Sequence, residues 1–154
     1  MDNGNSPAAA PDSGGDFERG LQVRAQLFGV ERVQQAFASP DPMTQKYQHF
    51  LTSACFGTVW GDPSMARTER SLITLAMVGA QHRFVEFEAH VKLALRNGCT
   101  PTQLEQVVMH LGVYCGVPTG GEAFRIVERV LRESAAGSGA TGEAIGLHGS
   151  SLPG

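Results

Sequence analysis

Arg83, Glu86 and His90 fall three and four residues apart in the stretch Arg83-Phe84-Val85-Glu86-Phe87-Glu88-Ala89-His90. On a helix, residues three and four apart are neighbours, so this spacing lines up a cation, a carboxylate and an imidazole along one face. A carboxylate beside a histidine raises the histidine pKa and fixes its tautomer. Such a pair can donate or accept a proton near neutral pH. Ordinary ion pairing on an exposed helix produces the same spacing, and from spacing alone it is the simpler reading. Glu88, on a different face, fits that simpler reading.

The other polar residues with chemical potential stand more alone. His110 sits between Met109 and Leu111, where a histidine is more often a satisfied packing residue than a catalyst. Trp60, just before Gly61-Asp62-Pro63, is placed either to floor a pocket or to pack. Arg67 or Arg70 is suited to hold a substrate carboxylate through two parallel hydrogen bonds, or to sit in a solvated charged turn. A metal is not expected, because the single Glu86–His90 pair is too little for a ligand set. Cys55, Cys99 and Cys115 are far apart and form no CxxC, which leaves three reduced, mostly buried thiols as the expectation.

The elements that must position these residues read as helices throughout, with no β alternation and no internal repeat. Asp16 is expected to cap a first helix carrying Phe17, Leu21, Val23 and Leu27 towards Gly29. A short second helix holds Val30, Val33 and Phe37 and stops at Ser39-Pro40. Pro42 opens a third that runs through Tyr47, Phe50, Leu51 and Phe56 to Trp60. Ser64 is the expected cap of the fourth, and the fifth runs from near Arg83 to Asn97-Gly98, where Gly98 takes the left-handed C-terminal position. Thr100-Pro101-Thr102-Gln103 is a capping box with proline at the first helical position. The helix it opens breaks at Gly116-Val117-Pro118, and a last helix carries Phe124, Ile126, Val127, Val130 and Leu131. The stretch LITLAMVGA (72–80) is apolar nearly all round, so it requires burial on every side and points to covering by neighbouring subunits.

The chain has 154 residues, 42% apolar and 18% charged, which suits one globular domain rather than a disordered chain. The net charge of −3 gives no basic excess to attract nucleic acid or an acidic membrane surface. That leaves a small molecule or another protein chain as partner. No run approaches membrane-spanning length, and the polar start has no signal-peptide pattern, so a cytoplasmic protein is expected. Residues 1–15 and 135–154 are rich in Gly, Ala, Ser and Pro and read as flexible tails around a domain at 16–134; His148, in the second tail, is given no role.

RTERSLITLAM (67–77), the E-x-x-x-H of Glu86 and His90, RNG (96–98), the Thr-capped helix, YCGVP (114–118) and Ala123-Phe124 together resemble the carboxymuconolactone decarboxylase family. GLQVRAQLFG (20–29) and the Phe-Gly-x-x-Trp ending at Trp60 match its decarboxylase branch, and the likeness spans about residues 16 to 133. The resemblance implies an all-α fold shared with the alkyl hydroperoxide reductase D proteins, and a homo-oligomer, commonly trimeric or hexameric. In the peroxidase branch, a CxxC precedes the matching histidine; here Arg83 and Glu86 occupy the cysteine positions, so dithiol peroxidase chemistry is not expected.

The decarboxylase branch converts γ-carboxymuconolactone to 3-oxoadipate enol-lactone and CO2 without a cofactor. The resemblance therefore implies a small carboxylate or lactone substrate. In that setting His90 transfers the proton, Glu86 orients it, and Arg83 with Arg67 holds carboxylates or stabilises the dienolate. His110 is a further donor, and Trp60 lies at the substrate pocket. Two positions depart from the family pattern. Asp62 stands where the decarboxylases usually have arginine, and Gly121 stands where they usually have asparagine. Both departures point to a changed, less anionic substrate, handled by the same fold as an isomerase, cyclase or cofactor-free oxidase. A non-catalytic helical oligomer that binds a ligand is the reading from another class.

Overall fold

The computed structural model describes residues 13–142, which form two compact units that divide between Arg67 and Thr68. His148 and most of both expected tails lie outside the described residues. No strand occurs among the described residues, and the fold is all-α as expected. No helix among them is long and apolar enough to cross a membrane.

The N-terminal unit contains α1 (Ser13–Phe28), α2 (Val30–Ala36), α3 (Pro42–Leu51) and a nine-residue π-helical segment (Thr52–Trp60) that continues α3. Asp16 does not cap α1. It lies in the first turn, nearly buried, where Arg19 and the Thr58 hydroxyl bind its carboxylate. Gly29 ends α1 with φ +93°, as its lack of a Cβ allows. Asp41, not Pro42 alone, starts α3, because its Oδ2 accepts the Thr44 backbone N–H at 2.8 Å.

The expected single helix to Trp60 is continuous but changes pitch at Thr52. The wide π turn lets α1 come very close: a Cβ on Gly57 would stand 2.0 Å from the Asp16 carbonyl oxygen, and one on Gly20 would stand 2.1 Å from that of Thr52. Thr52, Phe56 and Trp60 are buried along this contact-rich segment. Arg24 donates to the Thr52 hydroxyl at 3.0 Å, and its guanidinium lies 5.3 Å from the Phe56 ring centroid.

The C-terminal unit contains α4 (Arg67–Ala80), apart from its first residue, with α5 (Phe84–Arg96), α6 (Pro101–Tyr114) and α7 (Val117–Gly142). The expected cap Ser64 stands three residues before α4, where its N–H bonds the Asp62 carboxylate at 2.8 Å. The turn therefore uses Ser64 and Asp62 together. The capping box at Thr100 forms in both directions. α7 continues as helix to Gly142, past the expected end of the domain at 134.

The core of this unit gathers Leu75, Phe87, Val91, Ala94, Leu104, Val108, Leu111, Ala123, Ile126 and Val130. α6 and α7 cross where a Cβ on Gly120 would meet the Gly112 Cα at 2.6 Å, so the two backbones touch through glycine. LITLAMVGA is not buried on every side within one chain. Leu75 and Gly79 are covered, whereas Ile73 and Met77 are 42% and 58% exposed. Cys99 is buried, but Cys55 and Cys115 are only half-buried, fewer buried thiols than expected.

Two helices end in the same six-residue turn. At the end of α5, Gly98 has φ +91°, its N–H reaches the Leu95 carbonyl at 3.0 Å, and the Cys99 N–H reaches that of Ala94 at 2.9 Å. At the end of α4, the His82 N–H bonds Gly79 O and the Arg83 N–H bonds Val78 O, both at 3.0 Å, but the left-handed residue is His82, with φ +57°. A non-glycine side chain in this conformation costs about 1–2 kcal/mol. His82→Gly is therefore expected to raise the urea unfolding free energy by about 1 kcal/mol. A variant less stable than the wild type would show that the His82 side chain holds the turn.

Candidate functional site

α5 is positioned by a buried stripe. Phe87, Val91 and Ala94, spaced four and three apart, are fully covered. Glu86 and His90 each precede a member of that stripe by one residue, about 100° round the helix axis, at the edge where core gives way to solvent. Both are half-buried as a result. The side chains that can exchange protons thus lie beside an apolar wall that cannot hydrate them fully.

Arg83 is the residue preceding the first turn of α5, and no side chain caps this helix start. Instead, Arg83 reaches forward to Glu86, whose Oε1 accepts from Nη2 at 2.5 Å and from Nε at 3.2 Å. Glu86 lies in the first turn, where a carboxylate also complements the helix dipole. The Arg83 hydrogen bond, with a smaller contribution from its own backbone N–H, holds the Glu86 carboxyl below the usual carboxylate range.

His90 is pushed the other way from the sequence expectation. Burial lowers its pKa most, the Glu86 charge raises it, and the Arg83 charge lowers it again. No hydrogen bond joins Glu86 to His90 among the described residues, because the carboxylate is turned to Arg83. Glu86 therefore acts on His90 through its charge, without fixing its tautomer. Glu88, on another face, bridges Lys92 at 2.8 Å and Arg129 of α7 at 2.6 Å, an ordinary structural ion-pair network.

The remaining expected residues make contacts of their own. His110 is exposed on α6; its Nδ1 lies 2.8 Å from the Gln106 carbonyl and so carries the proton there, while the ring stacks on Tyr114 at 6.0 Å. Trp60 and Arg67 belong to the N-terminal unit. Trp60 is 8% exposed at the end of the π-helical segment, and Arg67 bonds the Gln26 side chain. Gly121 lines a shallow apolar groove between α6 and α7, with open space where a side chain would stand. His82 was missed by the sequence reading. Only its place four residues after Val78, at the end of an apolar run, hinted at a turn that usually demands glycine.

An Arg–Glu–His stripe thus stands at the edge of the core of an all-α unit, and the chain belongs to the carboxymuconolactone decarboxylase family, whose model matches residues 45–129. Among its relatives is the nitrosuccinic acid decarboxylase of Metarhizium robertsii, 33% identical over 117 residues, which cover 76% of this chain and 82% of that one. Another is the 4-carboxymuconolactone decarboxylase of Acinetobacter baylyi, 29% identical over 117 residues, covering 76% of this chain and 87% of the relative.

The lowered His90 pKa has a defined sign for stability. The unfolded histidine takes up its proton near pH 6.5, whereas the folded one takes it up at lower pH. The contribution of neutral His90 to stability is therefore present above pH 6.5 and is lost as pH falls through that value towards the folded pKa. NMR titration of His90 is expected to give a pKa below 6.5, lower still in Glu86→Gln and higher in Arg83→Gln. A His90 titrating at or above 6.5 in the wild type would contradict this picture of its surroundings.

Proposed function

We propose that this protein is a cofactor-independent decarboxylase of a small acid whose departing carboxylate sits on a carbon conjugated to an electron sink. 4-Carboxymuconolactone, converted to 3-oxoadipate enol-lactone and CO2, is the leading substrate. The observation that carries the reading is the half-buried His90 on the same face of α5 as Glu86 and Arg83, within a family whose named relatives are decarboxylases.

The chemistry accounts for what such a face must supply. In 4-carboxymuconolactone the bond to the carboxylate breaks, CO2 leaves, and the electron pair delocalises through the ring double bond into the lactone carbonyl. The resulting dienolate takes a proton at carbon. Nitrosuccinate offers the same logic, with the nitro group as the sink. Because the sink belongs to the substrate, the protein has to supply only charge and a proton. In this assignment the protonated His90 gives its proton to the carbon and is recharged from water. Burial makes that imidazolium a stronger acid than a solvated one. Arg83 faces the remaining carboxylate or the developing oxyanion, while Glu86 anchors Arg83 and keeps the imidazolium from becoming too acidic to be populated.

A second reading keeps the fold and changes the substrate. Asp62 and Gly121 favour it: Asp62 spends a carboxylate oxygen on the Ser64 turn, and Gly121 leaves open space where family members usually carry an amide. The same proposal includes a homo-oligomer, trimer or hexamer, which would cover the exposed Ile73 and Met77. It also includes a cytoplasmic location.

The test is CO2 release by the purified chain from 4-carboxymuconolactone, generated in situ from 3-carboxymuconate, with nitrosuccinate in parallel. Turnover of the lactone is expected, falling by about 10²–10⁴-fold in His90→Ala with the helical circular dichroism intact. Wild-type turnover in His90→Ala would remove His90 from the mechanism. Turnover of nitrosuccinate alone would select the changed-substrate reading, and CO2 from neither would overturn the proposal.

A further inference from the structure

The N-terminal unit contains a cleft of about 760 Å³ lined by residues of that unit. Its walls come from α1, the end of α2, α3 and the π-helical segment, and they include Phe17, Phe37, Lys46, His49, Phe50 and Thr58. The volume is that of a site for a small organic molecule, and the lining is mostly apolar with few polar groups, as such sites are. We infer that this cleft binds a flat aromatic carboxylate of about two fused rings, independently of the His90 face.

Flatness follows from the rings already there. Phe17 and His49 stack in parallel, with centroids 4.1 Å apart and planes 7° from coplanar, and Phe37 meets Phe17 edge-on at 5.9 Å. Phe50 is 65% exposed, an aromatic face without a ring partner among the described residues. The wall is held in place before any ligand arrives, since the Gln45 amide donates to the Phe37 and Ser39 carbonyls at 2.8 and 2.7 Å. A further flat ring extends this stack at little cost in ordering the protein.

The carboxylate follows from the charges. Asp16 and Lys46 are the lining residues with fixed charge. The Asp16 carboxylate is neutralised by Arg19 and accepts the Thr58 hydroxyl at 3.2 Å, so its charge is already answered within the protein. Lys46 is exposed and makes no ion pair among the described residues, which leaves a positive charge at the cleft. An acid whose ring lies on the aromatic wall can bring its carboxylate to that ammonium.

The test is isothermal titration of the full chain with 2-naphthoate, its neutral analogue 2-naphthamide, and cyclohexanecarboxylate. Saturable binding of 2-naphthoate is expected, with each of the other two at least fivefold weaker. Lys46→Met is expected to bring naphthoate down to the level of the amide while leaving the amide unchanged, and Phe50→Ala to weaken both aromatic ligands. His90→Ala is expected to bind naphthoate as the wild type does, which separates this cleft from the catalytic face. Equal affinity for acid and amide, no effect of Lys46→Met, or loss of binding in His90→Ala would each overturn the inference. So would a concentration-dependent dimer that Phe50→Ala dissolves and naphthoate does not displace, since a second copy would then be the occupant.

Discussion

The complete burial of Phe87, Val91 and Ala94 is the constraint on which the proposed functional face of this protein depends. These three side chains lock the rotation of α5 about its own axis. Once that rotation is set, Glu86 and His90 must emerge one residue earlier, at the margin between core and solvent. A position deeper in the core would penalise the imidazolium far more, and a fully exposed one would not penalise it by burial at all. The margin gives an imidazole whose protonated form is destabilised, which suits the proposed role as a carbon-protonating acid.

The turn before α5 belongs to the same device. α4 is stopped by a left-handed His82, and the next residue, Arg83, then has its side chain free to run along the first turn of α5 to Glu86. A conventional cap at this place would satisfy the helix end but give no cation to the face. The ion pair also explains the division of roles between the two acidic residues of α5. Glu86 pairs with Arg83 at the edge of the core, whereas Glu88 ties α5 to α7 through Arg129. Where the peroxidase branch carries two thiols at these positions, this chain carries a guanidinium and a carboxylate.

Much of this was legible in the sequence because the signals were local. The Thr100 capping box, the Gly98 terminus and the Arg83–Glu86–His90 spacing depend on residues within one turn, and all three appear as read. The expectations that failed depended on packing. Asp16 has the chemistry of a helix cap, but the close approach of α1 to the π-helical segment recruits it to Arg19 and Thr58. The π pitch itself leaves little trace in the sequence, because Thr52, Phe56 and Trp60 recur at a four-residue interval that an α-helix also satisfies. The orientation of the Glu86 carboxylate was equally hidden: spacing offers it both Arg83 and His90, and the stronger charge-assisted bond goes to arginine.

The central claim is that His90 protonates the carbon left by CO2. The most direct measurement compares the pH dependence of kcat/KM for CO2 release with the NMR titration of His90 in the free enzyme. An acid that must be protonated gives a rate that falls as pH rises, with its midpoint at the pKa of the free enzyme. One descending limb below pH 6.5 is expected, coinciding with the His90 titration and shifting with it in Glu86→Gln. A rate that is level across the His90 titration, or that rises through it, would contradict the account and assign the proton to another group.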